Sequence, residues 1–298
     1  MIKSLFGSGA KNKSSNDITT GRMQPKLPIT VLDIGCRWGF AEKFLNEEYR
    51  DDFKIFGFDP DLEECKRLQE FYSHLPDGLV NCVPVALAEK PGKRNLYITK
   101  DPACSSLHPP IKYLSESYPA LKCTELDKVI SIDVESLENW ASSLLLNNFD
   151  YIKVDTQGTE LEILRGAGEH LLTTRCIDIE VEFNPIYQGQ SLFGETDQFL
   201  RSKGFVLWSM SNLVHYSPNK ELIELDSVNT VCFDENERQE NKAYGGQLFW
   251  ADARYIKSNV FLKESLDSEE QNARDVKLFK ALGMYDVLNQ IDIKSKEH

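Results

Sequence analysis

Tyr151 to Leu172, YIKVDTQGTELEILRGAGEHLL, narrows the choice of fold more than any other stretch of this chain. It reads as a buried strand, a polar turn carrying Asp155, Gln157 and Glu160, and an amphipathic helix. Polar groups leaving the carboxyl end of such a strand stand where open α/β sheets bind ligands. Apolar strands alternate with helical segments elsewhere too. ITVLDIG, FKIFGFD, GLVNCVPVALAE, VISID, DYIKVD, RCIDIEVEF and FVLWSM read as strands, and GQLFWADARYI as a late one. Alternation of this kind requires a mainly parallel sheet covered by helices on both faces.

The segments between the strands are less uniform. Residues 40–49 are helix-like but weakly periodic, after a glycine turn that opens a helix. PDLEECKRLQEFYSHL is a helix capped by Asp61, with Leu62, Cys65, Leu68 and Phe71 or Tyr72 on its packed face. RNLYIT follows the Pro91-Gly92 turn as hairpin partner of the third strand. Residues 101–128 are polar and proline-bearing, and read as a long loop with one helical turn. SLENWASSLLL, GTELEILRGAGEHLL and ETDQFLRSKGF are helices. The expected division is a polar leader over 1–27, one domain over 28–257, and a helical extension over 258–298 in which Val276, Phe279, Leu282 and Leu288 face the domain.

With 298 residues, 41% of them hydrophobic, the chain can bury a sizeable core. A net charge of −13 repels phosphate backbones and argues against nucleic acid as a partner. No apolar run approaches the ~20 residues that span a bilayer, and the leader lacks the apolar core of a secretory signal. Seven cysteines, odd in number and never spaced C-x-x-C, argue against a disulfide framework or a cysteine zinc site. A cytoplasmic location is therefore expected. The sequence leaves oligomeric state open.

Asp33-Ile34-Gly35-Cys36-Arg37-Trp38-Gly39 has the form of a cofactor loop, with glycines where a ligand approaches the backbone. It lacks the central glycine of G-x-G-x-x-G, and an acid ahead of Gly35 suits a cationic amine better than a pyrophosphate. S-adenosylmethionine, with an amine and a sulfonium, fits that charge pattern better than a nicotinamide dinucleotide does. Asp59 ends the second strand twenty positions after Gly39, where a carboxylate accepts hydrogen bonds from ribose hydroxyls. Phe58 and Pro60 are placed to flank that ribose, and Ala86 and Leu87 to lie beside an adenine. Each feature also has a plain structural reading: an ordinary turn, a helix cap, a run of core.

Taken in order, these motifs resemble the FkbM family of S-adenosylmethionine-dependent O-methyltransferases. DIGCRWG is similar to the family's D-x-G-A-N-x-G at Asp33, Gly35 and Gly39. Lys153-Val154-Asp155-Thr156-Gln157-Gly158-Thr159-Glu160-Leu161-Glu162 is similar to its K-I-D-V-E-G-x-E-L-E. The likeness runs from about Val31 to Ile256. It implies a Rossmann-like class I methyltransferase fold, with a late antiparallel strand, that methylates a hydroxyl of a sugar, glycan or other polyhydroxylated small molecule. Two departures stand out: Arg37-Trp38 in the first loop, and Gln157 where the family has glutamate.

Methyl transfer requires alignment of an acceptor and removal of its proton. Asp155 is the first candidate for that base, against the alternative of a turn-stabilising aspartate. Glu160 reads as a first-turn helix acid. Asp178, Glu180 and Glu182 share one face of their strand. Glu180 and Glu182 are read as hydroxyl contacts or weak metal contacts, leaving a divalent metal open without support from any ligand spacing. His108, in the long loop, is a further candidate base or lid contact, or simply a solvated histidine. A nicotinamide-dependent oxidoreductase and a catalytically silent binding module of the same fold are the rival functions.

Overall fold

The computed structural model describes residues 28–218, 224–234, 237–260 and 268–296. The expected leader lies outside them. In chain order the elements are β1 (Ile29–Ile34), β2 (Phe53–Phe58), α1 (Leu62–Phe71), β3 (Val80–Val83), β4 (Ala86–Leu87), β5 (Gly92–Thr99), α2 (Lys112–Ser117), β6 (Leu126–Glu135), α3 (Leu137–Ser143), β7 (Tyr151–Val154), α4 (Glu160–Arg165), β8 (Cys176–Glu182), α5 (Phe193–Ser202), β9 (Phe205–Tyr216), β10 (Glu224–Asp234), β11 (Glu237–Tyr244), β12 (Gln247–Lys257), α6 (Glu269–Ala281) and α7 (Tyr285–Lys296).

Seven strands form the main sheet in the order β3-β2-β1-β7-β8-β12-β9. Only β12 runs against the direction of the other six, as the late strand was expected to. Period-two alternation gives the sheet two apolar faces. Leu32, Ile34, Phe56, Phe58, Ile152, Val154, Ile177 and Ile179 pack against Leu137, Trp140, Ile163, Leu164 and Leu200 from α3, α4 and α5. Ile29, Val31, Phe53, Ile55 and Tyr151 pack instead against Leu68 of α1 and Leu278, Phe279, Val287 and Ile291 of α6 and α7. Both faces are therefore covered by helices, as required of a parallel sheet.

Several local expectations are overturned. No α-helix follows β1: residues 40–52 hold only short 3-10 turns at Glu42–Phe44 and Arg50–Asp52. Phe40 and Phe44 are buried one turn apart, but no run of apolar residues continues the stripe that would sustain a helix. Of the residues expected on the packed face of α1, Leu62 is 50% exposed and Phe71 63%, whereas Cys65 and Leu68 are buried and Tyr72, the alternative to Phe71, packs against the core beside Phe40. Asp61 caps the helix as expected, accepting from the Glu63 and Glu64 N–H groups.

The third strand breaks at Pro84, which has no N–H to continue a ladder. Its first half, β3, stays in the main sheet, while β4 leaves for a three-stranded sheet ordered β4-β6-β5. β5 accordingly pairs with β6, not with the third strand. VISID, expected in the main sheet, belongs to this side sheet. The long loop is more ordered than expected, with α2 and 3-10 turns at Pro102–Cys104 and Pro119–Thr124 around a small core of Leu114, Leu121, Ile186, Tyr187 and Phe249. The β10-β11 pair was not foreseen. Among the described residues no helix is long and apolar enough to cross a membrane.

Candidate active site

Register builds the site. Ile34 pairs with Phe58 on one side and Val154 on the other, and Val154 pairs with Ile179. The next residues, Gly35, Asp59, Asp155 and Glu180, therefore stand in a row across four strands, the first three just past their strand ends and Glu180 within β8. Strand order reverses between β1 and β7, the switch point at which open α/β sheets leave a crevice. A cavity of about 600 Å³ lies there, and all four residues line it. Phe58, Pro60, Ala86, Leu87 and Arg37 line it as well. The side sheet closes it over with Leu96 and Ile98 of β5 and Ile130 and Ile132 of β6. Tyr216 and Trp250 complete the wall.

Asp59 is 5% exposed, and its Oδ1 accepts the Asp61 N–H at 2.8 Å. Burial pushes its carboxyl up, against the pull of that N–H and of Arg37 at 3.7 Å. Arg37 also grips Asp61 at 3.0 Å, so its guanidinium bridges two acids at the cavity wall. Trp38 stands at the same wall, 79% exposed. The departure in the first loop, Arg37-Trp38, thus places a cation and an aromatic at the cavity.

Three residues expected to meet the cofactor do not line the cavity. Asp33 is buried beneath it, 3.4 Å from the Lys153 Nζ, and its Oδ1 accepts no hydrogen bond. Lys153 is the cation that faces this carboxylate. Burial pushes the Asp33 carboxyl up despite that lysine. Cys36 is 1% exposed, with its Sγ packed toward Gly57 in the core, and burial pushes its thiol up. Gly39, at φ +109°, leaves room for Tyr72: a Cβ there would lie 2.6 Å from the tyrosine oxygen. Gly35 does line the cavity, yet its demand is also internal, because a Cβ would lie 1.8 Å from the Asp155 carbonyl oxygen. No α-helix follows this loop, so the loop itself offers no helix N-terminus to the cavity, contrary to expectation.

Asp155 is 40% exposed in its side chain and sits 3.5 Å from Lys153. Lys153 is thus shared with Asp33, and these two acids hold its ammonium above the usual range although burial opposes the charge. Gln157 Nε2 donates to Asp155 at 3.1 Å and to Glu180 at 3.0 Å. Burial, then the carboxylates of Asp155 and Glu160, push Glu180 well above the usual range. Glu182 is raised in the same way, but it does not line the cavity. Glu160, Glu180 and Glu182 bring carboxylate oxygens within 4.8 Å of one another. Glu160 is already engaged by the Thr156 and Gly158 N–H groups, a turn cap, and acidity alone does not make the trio a metal site. Asp178 is a structural acid, held low by Arg254, which meets it through two hydrogen bonds of 2.6 Å, and by Lys43.

His108 also lies off the cavity wall. Its Nε2 meets Glu162 at 2.9 Å and its Nδ1 lies 3.1 Å from the Gln188 carbonyl oxygen, so both ring nitrogens are occupied by the scaffold. Sequence reasoning missed Lys153, the side-sheet wall, and Tyr216 and Trp250. The lysine stood in the motif itself. The period-two pattern of β5 and β6 was visible, but not which face would turn to the cavity.

A family model described as the methyltransferase FkbM domain matches residues 29–207, more than half of the chain. The chain belongs to the FkbM methyltransferase family. Membership carries the class of the domain, a methyltransferase that uses S-adenosylmethionine, and sets aside the nicotinamide-dependent rival. Within this family-level likeness, the chain is 29% identical over 168 residues to the 2-O-methyltransferase NoeI of Sinorhizobium fredii. That match covers 54% of this chain and 66% of the relative. Among solved structures, a precorrin-6y C5,15-methyltransferase from Geobacter metallireducens aligns at 10% identity and a TM-score of 0.35, covering 79% of this chain and 83% of that one. A magnesium protoporphyrin IX methyltransferase from Synechocystis, solved with bound S-adenosylmethionine, aligns at 10% identity and 0.36, covering 78% and 71%.

Proposed function

We propose that this FkbM-family chain transfers a methyl group from S-adenosylmethionine to a hydroxyl of a sugar, glycan or other polyhydroxylated small molecule. The observation that carries the reading is the row Gly35, Asp59, Asp155 and Glu180 around one cavity of about 600 Å³. That volume accommodates a nucleoside cofactor and part of an acceptor. Asp59 keeps lone pairs for ribose hydroxyls, Phe58 and Pro60 flank them, and Ala86 and Leu87 offer an apolar seat for adenine. Arg37 presents a guanidinium suited to the cofactor's carboxylate.

Bound S-adenosylmethionine supplies an electrophilic methyl on sulfur. Asp155, the half-exposed acid of the row, accepts the hydroxyl proton, while Glu180 hydrogen-bonds the acceptor from its half-buried position. Tyr216 and Trp250 provide flat apolar surfaces for the C–H face of a sugar ring. The name of the Sinorhizobium relative, a 2-O-methyltransferase, supports oxygen as the acceptor atom. A net charge of −13 supports a small molecule over nucleic acid.

Mass spectrometry of the protein as purified tests the cofactor: retained S-adenosylmethionine or its demethylated product is expected, and a retained nicotinamide dinucleotide would overturn the reading. Asp155→Asn is expected to bind cofactor normally and to lose roughly 10²–10⁴-fold in turnover on a hydroxyl acceptor. Wild-type turnover in that variant would remove Asp155 as the base.

A further inference from the structure

Gln157 adopts φ +61°, in the left-handed region that a non-glycine residue enters at a cost of roughly 1–2 kcal/mol. The turn between β7 and α4 holds it there from several sides. Its carbonyl oxygen accepts the Ser106 hydroxyl at 2.6 Å, and its Oε1 lies 3.2 Å from the Tyr187 hydroxyl, whose single proton is shared with the nearer Cys104 carbonyl at 2.7 Å. The carboxamide orientation follows from its neighbours, because Nε2 faces two carboxylates and only the NH2 end can donate to both. One amide proton goes to Asp155 Oδ1 and the other to Glu180 Oε2. Asp155 Oδ2 lies 3.5 Å from Lys153, so both oxygens of this acid are held.

We propose that Gln157 is a positioning residue, whose carboxamide clamps Asp155 to Glu180 and thereby aims the remaining lone pairs of Asp155 at the acceptor hydroxyl. The inference rests on the reading of Asp155 as base. Two carboxylates brought together repel unless a donor or a cation stands between them. A neutral amide supplies two directed donors and no charge, so it fixes the geometry without quenching the acid it holds. A glutamate at this position, as in the family pattern, would put three carboxylates at one point. Such a group needs a cation or extra protons, a different device from the one this chain carries.

The test compares Gln157→Met, which keeps length and removes both donors, with Gln157→Glu. Both are expected to bind adenosylhomocysteine within about threefold of wild type by calorimetry. Gln157→Met is expected to lose roughly 10–100-fold in kcat with little change in acceptor KM, the signature of a misaimed base. Gln157→Glu is expected to fall as far and to be partly rescued by millimolar Mg²⁺ or Mn²⁺, which Gln157→Met is not. A wild-type kcat in Gln157→Met, alongside an inactive Asp155→Asn, overturns the clamp and leaves the base reading standing. Wild-type kcat in both Gln157→Met and Asp155→Asn overturns the base reading itself. A second readout needs no acceptor. The Gln157 side-chain NH2 resonance, assigned by its absence in Gln157→Met, should exchange slowly with deuterium in the adenosylhomocysteine complex, and exchange at the rate of a surface glutamine would also overturn the proposal.

Discussion

A carboxylate that is to take both ribose hydroxyls must keep lone pairs unspent, and Asp59 meets that condition. One oxygen accepts the Asp61 N–H, and Arg37 stands back at 3.7 Å. Asp59→Ala should therefore weaken cofactor binding by roughly 2–3 kcal/mol, about 30–150-fold, the loss of two hydrogen bonds to a charged group. Calorimetry with adenosylhomocysteine checks it, and unchanged affinity would take Asp59 out of the pocket. A different prediction concerns sulfur. Cys104 and Cys123 both stand in the cavity wall, and the Cys104 thiol hydrogen-bonded to Cys123 brings the latter down to about 7. Cys36, Cys65 and Cys176 are buried, with thiols pushed up. Iodoacetamide near pH 7.5 should label Cys123 first among the described cysteines, and bound adenosylhomocysteine should slow that labelling. Equal labelling of Cys82 and Cys123 would show that the pairing does not activate the thiol.

Whole elements explain which of these residues the sequence could reveal. β1, β2 and β7 are mostly apolar runs followed at once by Gly35, Asp59 and Asp155, and β8 alternates apolar residues with acids, so their place at one end of the sheet was legible. The segment after Gly35 was not, because a stripe too short for a helix looks the same whether it coils or forms 3-10 turns. Nor was the side sheet, since Pro84 marks a break without saying which sheet the second half will join. His108 shows the same blindness at the level of contacts. Its loop was visible, but its partners come from α4, 54 residues on, and from Gln188, 80 residues on. Those partners make a clamp. His108 and Arg94 of β5 hold the Glu162 carboxyl down to about 2, the histidine hydrogen bond first and the arginine after it. A carboxyl lowered on folding stabilises the fold above its ordinary value near 4.5 and loses that contribution as pH falls toward 2. Glu162→Gln should therefore cost about 1–2 kcal/mol at pH 7 and progressively less below pH 4.5. Urea denaturation at pH 7 and pH 3 measures both, and a penalty independent of pH would show that the clamp is not electrostatic.

The family match stops at residue 207, yet the main sheet and its helical cover run past it. β12 sits between β8 and β9 in the main sheet, and α6 and α7 cover the face formed by Ile29, Val31, Phe53 and Ile55. Two buried ion pairs fasten that cover to the strand ends. Arg274 meets Asp150 at 2.5 Å and the Pro28 carbonyl at 3.1 Å, while Arg175 meets Asp275 at 2.5 Å with side chains 3% and 2% exposed. Asp150 in turn accepts the Thr30 N–H, so α6, the start of β1 and the start of β7 are tied at one point. Charges this deep contribute little net stability over a well-packed apolar pair, but removing one partner strands the other. Asp275→Ala should thus cost about 3–5 kcal/mol, whereas Arg175→Met with Asp275→Leu should recover most of that loss. Phe279→Ala, which empties a fully buried site on the same helix, should cost a similar amount, about 3–5 kcal/mol. Each variant should lower the midpoint of a single urea transition with its slope unchanged. A separate early transition in Asp275→Ala, with cofactor binding intact after it, would instead make the tail an independent unit resting on a complete domain.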